Sequence, residues 1–159
     1  MIKKEFYDFM DLVYADKKKA KIAIAKNPGL LELQGVAKET PLHYLAIENF
    51  KEEVVFLIKE GATIDPLDMS EVTPLMHTII LGYEDLTISL IEMGANINHQ
   101  DINGITPLHC AAQYGRLSVI EKLLAVGARI VRNNCDEKPN DIALPRKAKE
   151  IKQIFDKHK

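Results

Sequence analysis

The stretch "GITPLHCAAQYG", residues 104–115, decides the fold, because its tripeptide Thr-Pro-Leu recurs in the chain at a fixed interval. The three copies begin at Thr40, Thr73 and Thr106, so that successive copies lie 33 residues apart. A constant period of this length indicates stacked supersecondary units, each of which buries its apolar face against its neighbours. The sequence therefore predicts a repeat protein rather than a domain folded around one central core.

Each copy has the pattern of two short helices joined by a turn. Threonine followed by proline favours a helix start, since the hydroxyl can cap free backbone amides and proline suits the first helical position. In the third copy, Gly115 is a candidate left-handed end of the first helix. The apolar residues after it have the spacing of one helical face and end at Gly127-Ala128; they are Leu117, Ile120, Leu123 and Leu124.

The segment "DINGITPLHCAAQYGRLSVIEKLLAVGARIV", 101–131, resembles the ankyrin repeat family almost end to end. The earlier copies depart from the family pattern, with Lys38 and Glu71 in place of a turn glycine and Met76 in place of histidine. The resemblance implies an all-α ankyrin repeat solenoid. Its units would be stacked helix-turn-helix pairs with protruding β-hairpin-like loops, closed by N- and C-terminal capping helices.

The period divides the whole chain, which we interpret as a single ankyrin repeat domain, 1–159. Residues 1–34 are an N-terminal cap or degenerate repeat, with Ile2, Phe6, Phe9, Met10 and Val13 on one helix face and a second helix from Asp16 to Lys26. Three repeats follow at 35–67, 68–100 and 101–133. Residues 134–159 form a C-terminal capping repeat, in which Asp141 takes the histidine position one residue short of the period.

Composition and charge exclude several classes of function. Residues 35–100 carry a net charge of −8, and 68–100 contain no lysine or arginine, so an acidic central field would repel nucleic acid. We see no secretory signal and no apolar run of the ~20 residues needed to cross a bilayer. Cys110 and Cys135 lack metal-ligand spacing, which favours a reduced, cytoplasmic protein with two free thiols.

The residues that could carry chemistry are better explained as structural. The resemblance implies that His43 and His109 bond to the capping threonine and to neighbouring repeat backbone. Neither His77 nor His99 has a cysteine or carboxylate at catalytic or metal-binding spacing. Phosphate-binding loops, dinucleotide fingerprints and nucleophile elbows are missing from the sequence. We therefore expect no enzyme activity, no catalytic residue, no cofactor and no metal.

The resemblance further implies a concave binding face, built from loop tips and from the exposed side of each first helix. The tips carry Met69, Ser70 and Val72, then Ile102, Asn103 and Ile105, after a first tip with Val36, Ala37 and Glu39. The first helices contribute Ile47, Glu48, Ile80, Leu81, Gln113 and Tyr114. Many of these residues are apolar or aromatic, as interface centres often are. Six acidic residues are expected to form a rim: Glu39, Glu48, Asp68, Glu71, Glu84 and Asp85.

Two functions follow as alternatives. The first is a protein–protein interaction module that binds a protein with an apolar centre and basic edges, as an adaptor or an inhibitor. By analogy with small microbial ankyrin proteins, the partner could be an enzyme or a toxin that the protein neutralises. The second is a structural or assembly protein whose apolar residues close a homodimer. We favour a monomer that binds neither nucleic acid nor membranes. The partner and the pathway cannot be read from the sequence.

Overall fold

The computed structural model describes residues 2–158, with side chains from residue 4 onward, and the regular secondary structure of this part of the chain consists of helices. Its α-helices are α1 (Ile2–Ala15), α2 (Lys17–Lys26), α3 (Pro41–Ile47), α4 (Lys51–Lys59), α5 (Pro74–Leu81), α6 (Glu84–Glu92), α7 (Pro107–Gln113), α8 (Leu117–Ala125) and α9 (Ala148–Asp156). Short 3-10 helices cover Pro28–Glu32 and Pro145–Lys147.

Three helix pairs repeat along the chain: α3 with α4, α5 with α6, and α7 with α8. Each first helix begins at the proline of a Thr-Pro-Leu tripeptide, with the threonine in extended backbone as N-cap. At Thr106 the hydroxyl oxygen accepts a hydrogen bond from the amide of His109 at 3.3 Å, which satisfies one of the free donors at the helix start. The local chemistry of the tripeptide thus sets where each unit begins.

The units stack because the helices of neighbouring pairs pack against each other. The middle first helix, α5, contacts both α3 and α7, and α6 contacts α8. Small buried side chains on the first helices, Ala46, Ala111 and Ala112, permit this close approach. The apolar faces of the second helices close the interior through residues such as Leu57, Leu90 and Leu123, all of which are fully buried. The core is therefore shared between units, as a repeat architecture requires.

The loops between units are tight turns of hairpin type. Within a turn, the amide of Asp101 donates to the carbonyl of Ile105 at 3.0 Å. The turn needs one residue with positive φ, which is Gly104 in the third repeat and Lys38 and Glu71 in the first two. Lys38 and Glu71 therefore adopt the positive-φ backbone conformation at a position where the family usually has glycine. No β-strand is assigned among residues 2–158, so the hairpin likeness is confined to the turns.

The terminal units differ from the repeats between them. Asp16 caps α2 by accepting from the amides of Lys18 and Lys19, as the expected start of this helix requires. At the other end, residues 139–142 form turns instead of a first helix, and Leu144, directly before Pro145, has the extended backbone that a following proline favours. The carboxylate of Asp141 still accepts from the amide of Lys138 at 2.9 Å. It thereby accepts from the amide three residues earlier, as the histidine does in the repeats.

Candidate interaction surface

The twelve residues proposed for partner binding form what we call the ladder: Ile47, Glu48, Met69, Ser70, Val72, Ile80, Leu81, Ile102, Asn103, Ile105, Gln113 and Tyr114. All are exposed or half-buried, and none belongs to the buried core. The largest apolar exposures are Met69 at 62% and Ile102 at 53%, followed by Leu81 at 43% and Tyr114 at 41%. Equivalent positions of successive repeats thus present large apolar groups to solvent.

Backbone hydrogen bonds join the loop tips to one another. The amide of Met69 donates to the carbonyl of Ala37 at 2.9 Å, and the amide of Ile102 donates to the carbonyl of Ser70 at 3.3 Å. The series continues to the C-terminal unit, where the amide of Asn134 donates to Asn103 at 3.0 Å. Each tip therefore has a fixed position relative to the next one, although no strand pairing is assigned there.

The acidic rim differs from the sequence-based expectation. Asp68 is half-buried and accepts from the amides of Ser70 and Val72 at 2.8 and 3.0 Å, so it shapes its loop rather than facing a partner. Although burial alone would raise the pKa of Asp68, hydrogen bonds from Val72, His77 and Ser70 outweigh it and lower the pKa. Glu84 and Asp85 are exposed at the start of the second helix α6, three and four residues after Leu81 of the ladder. Glu48 of the ladder and Glu71 in the second loop tip are likewise exposed, whereas Glu39 is half-buried.

The signature histidines connect successive units, as the resemblance implied. His43 and His109 are fully buried, and each accepts an amide hydrogen bond at Nδ1, from Thr40 and Thr106 respectively, at 3.2 Å. The proton therefore lies on Nε2, which donates to the carbonyl of Val72 in one case and of Glu137 in the other, at 3.0 and 3.1 Å. Burial is the largest cause that lowers the pKa of both side chains.

Sequence spacing missed one side-chain pair. His77 Nε2 lies 2.9 Å from a carboxylate oxygen of Asp68, nine residues earlier in the chain. With His43, these groups place three potential metal ligands within 4.8 Å of one another. Both ring nitrogens of His43 are already bonded to backbone groups, however, and a metal would have to displace its bond to Val72. The donor set is therefore a structural contact between the first two repeats rather than a fitted metal site.

The two thiols have opposite surroundings. Cys110 is buried in α7, and burial raises the pKa of its thiol to about 12. A thiol of that pKa is almost entirely protonated at neutral pH, and the thiolate is the reactive form. Cys135 is exposed in the loop at the start of the C-terminal unit. Cys110 therefore acts as a small apolar packing group, as its position in the repeat predicts.

Arg116 is a second contact that the sequence did not reveal. Its guanidinium donates to the carbonyls of Ile79 and Ile80, at 3.1 and 2.9 Å, and so caps the end of α5 from the next repeat. The group lies against Gly82, where an added Cβ would come within 2.7 Å of it. Gly82 also has a φ of +84°, a backbone conformation that glycine adopts without steric cost and other residues rarely adopt. Nothing in the pattern of a single repeat indicates that the arginine directly after Gly115 would contact the preceding repeat.

Comparison with known families supports the repeat assignment. A family model described as "Ankyrin repeats (many copies)" matches residues 75–124, which extend from the start of α5 into α8. No curated protein resembles the chain closely enough to count as a match. Within residues 2–158, no helix has the length and apolar character needed to span a membrane.

Ankyrin repeats are in general protein–protein interaction modules, and the family consists typically of non-enzymatic interaction domains. The matched segment is joined here to a further in-phase copy at 35–67 and to helical units at both ends. The helix pairs, the capping threonines and the buried histidines agree with the family match, and the chain is an ankyrin repeat protein.

Proposed function

We propose that the protein is a non-enzymatic binding module that holds a protein partner on the ladder, as an adaptor or an inhibitor. One observation carries the proposal: the large apolar side chains of Met69, Leu81, Ile102 and Tyr114 are exposed at equivalent positions of neighbouring repeats. Exposed apolar groups clustered on one face mark interaction sites more often than scattered ones do. The hydrogen-bonded loop tips support the same reading, because a preordered surface loses little conformational entropy on binding.

The charge distribution supports a partner with basic edges. The repeat at 68–100 has five acidic residues and no lysine or arginine. Glu48 within the ladder and Glu71 beside it are exposed, where they would steer a basic surface toward the ladder and suppress acidic competitors. A neutralised enzyme or toxin is one form that such a partner could take.

The test is affinity capture with the wild-type protein and with a double variant, Leu81→Asp/Tyr114→Asp. Both side chains are solvent-exposed, so the variant should keep its helix content, while two buried carboxylates would prevent docking. The matched control is Ile22→Asp/Val126→Asp, which changes two apolar residues that are at least as exposed, in α2 and at the end of α8. We expect the control to retain the partner and the ladder variant to lose it. Equal capture by both would refute the ladder as the binding surface.

The alternative function, an assembly protein closed by a homodimer through the ladder, makes a different prediction. Light scattering should then show a stable dimer at low micromolar concentration, and the Leu81→Asp/Tyr114→Asp variant should be a monomer. A wild-type monomer under these conditions would favour the binding module.

A further inference from the structure

A cavity of about 220 Å³ opens at the first-repeat end of the ladder, between α1, α3 and the first loop tip. Three of its walls are aromatic rings, Phe6, Tyr7 and Tyr44, and Glu39 supplies a carboxylate. The remaining lining residues are Gly35, Val36 and Ile47, so the wall contains no basic side chain. The cavity thus combines aromatic surface with a single negative charge.

The three rings stand nearly perpendicular to one another. Their centroids are 5.5 Å apart for Phe6 and Tyr7, 6.0 Å for Phe6 and Tyr44, and 6.5 Å for Tyr7 and Tyr44, with interplanar angles of 82–85°. Three mutually perpendicular rings can present more than one aromatic face to the same ligand. The electron-rich faces of such rings attract a cation placed within about 6 Å of their centroids.

The carboxylate of Glu39 is held in place at the cavity. One of its oxygens accepts from the amide of Ala37 at 2.8 Å, and the same oxygen lies 3.2 Å from the position of a Cβ on Gly35. A larger residue than glycine at position 35 would therefore press against it. The orientation of Glu39 is fixed by the loop before any ligand arrives, which lowers the entropy lost when a charged group binds.

Further acidic groups surround the same end of the ladder. The ring of Tyr14 is partly buried beside Tyr44, Glu48, Glu53 and Asp11, and burial followed by these neighbours raises its pKa to about 12. Glu53 is neutralised by Lys17 at 2.8 Å, whereas Asp11 and Glu48 are exposed to solvent. Lys38 is an exposed basic residue of the same loop tip, but Asp11, Glu39 and Glu48 together leave an excess of negative charge that favours cations over anions.

We infer that this cavity takes the side chain of a lysine or arginine from a protein partner, with the aliphatic stem against Val36 and Ile47 and the charged head among Tyr7, Tyr44 and Glu39. The inference deepens the proposed function, on which it rests, because the cavity includes Ile47 of the ladder. It adds a cationic anchor residue to the partner's apolar contact surface.

The test uses peptides and needs no natural partner. Acetyl-Gly-Gly-Lys-Gly-Gly-amide, its arginine counterpart and its norleucine counterpart are titrated into isotopically labelled protein, and amide shifts around Tyr7, Tyr44 and Glu39 are followed by NMR. We expect the lysine or arginine peptide to bind about tenfold more tightly than the norleucine peptide. Added salt should reduce this difference. Norleucine binding as tight as both basic peptides, or no shift with any peptide at millimolar concentration, would overturn the inference.

Three variants locate the site. Tyr7→Leu removes a ring that is 52% exposed, and Glu39→Gln removes the charge while keeping an oxygen for the amide of Ala37. Both should lower the affinity for the basic peptides severalfold without lowering the melting temperature appreciably. Tyr114→Leu is the matched control at the far end of the ladder and should leave peptide binding unchanged. If Tyr114→Leu weakens binding as much as Tyr7→Leu does, the cavity is not the site.

The inference and the proposed function can fail separately. Loss of partner capture in Leu81→Asp/Tyr114→Asp, together with unchanged peptide binding, supports both. Partner capture that depends on the ladder but no binding of basic peptides refutes the cationic anchor alone. Peptide binding with partner capture that is insensitive to the ladder variant refutes the ladder and leaves the cavity assigned.

Discussion

In the first and third repeats, a buried histidine ties the first helix to the loop of the following unit, whereas Met76 occupies this position in the second repeat. The second repeat has additional polar contacts between side chains of its own helices. The hydroxyl of Thr87 donates to that of Thr78 at 2.9 Å between α6 and α5, and Thr78 donates to the carbonyl of Leu75 at 2.8 Å. His77 and Asp68 form another bond within the repeat.

The difference shows that polar contacts can stabilise the stack either between neighbouring units or within a single unit. Where the bonding histidine is missing, the third repeat supplies the connection to the second from its own side chains. Arg116 reaches back to the end of α5, and Lys122 pairs with Glu92 at 3.0 Å. The same helix pair is thus stabilised by two different sets of polar contacts. Substitutions in the second and third repeats should show how much each set contributes to stability.

The largest effect is expected when the third repeat is made to resemble the second. His109→Met would fill the buried space but leave the amide of Thr106 without its acceptor and the carbonyl of Glu137 without the imidazole donor. We expect the free energy of unfolding to fall by about 2 kcal/mol, measured by urea denaturation. His43→Met should lower the free energy of unfolding by a similar amount, because the hydrogen bonds of His43 are equivalent to those of His109. A loss below about 0.5 kcal/mol would show that the inter-unit bonds contribute little.

A smaller loss of stability is expected when the pH is lowered. Burial lowers the pKa of His43 and His109 in the folded state, while the unfolded chain retains a histidine value of about 6.5. The unfolded state then binds more protons below that value, so stability is fully present above about pH 6.5 and declines as the pH falls. Denaturation curves between pH 7 and 5 measure this slope. It should flatten in the His43→Met/His109→Met variant, and an unchanged slope would contradict the assignment.

In the second repeat, removing one partner of the threonine pair should cost more than removing both. Thr78→Val leaves the buried hydroxyl of Thr87 without its acceptor, and we expect a loss of about 1–2 kcal/mol in the free energy of unfolding. Thr78→Val/Thr87→Val replaces both hydroxyls by methyl groups of similar shape and should be close to neutral. If the double variant is less stable than the single one, the pair is not an isolated polar contact.

The smallest expected effect is an increase in stability. Met76→His would place an imidazole next to Thr73, which already caps α5, with the carbonyl of Ile105 as the acceptor in the next loop. We expect an increase of up to about 1 kcal/mol in the free energy of unfolding. A clear loss would indicate that the second junction has adapted its spacing to methionine and no longer accepts the bond of its neighbours.

Local patterns predicted the framework of the molecule well. The Thr-Pro-Leu copies marked the starts of three helices, and the apolar spacing at Leu117, Ile120 and Leu123 predicted α8. Such features depend on capping and periodicity, which act over a few residues. The second N-terminal helix was expected from Asp16 to Lys26 and is observed at Lys17–Lys26 with Asp16 as its cap.

Contacts between units could not be predicted in the same way. Arg116 meets Ile79 and Ile80 across 37 and 36 residues of chain, respectively, and Asp68 meets His77 only because the loop folds back onto α5. The acidic residues of the expected rim illustrate the same limit: Asp68 is used inside its turn. The aromatic cavity joins Phe6 and Tyr7 to Tyr44, and no period relates these positions.

The bonds from Met69 to Ala37, Ile102 to Ser70 and Asn134 to Asn103 have a consequence for how the surface can evolve. They use only main-chain atoms, so that side chains such as Met69 and Ile102 can be exchanged without disturbing the spacing between neighbouring tips, whereas the side chain of Asn134 also donates to the carbonyl of Ile102 at 3.1 Å. New specificities could therefore arise by single substitutions on an unaltered support, and a loop insertion would be harmful because it would break the alignment of every tip beside it.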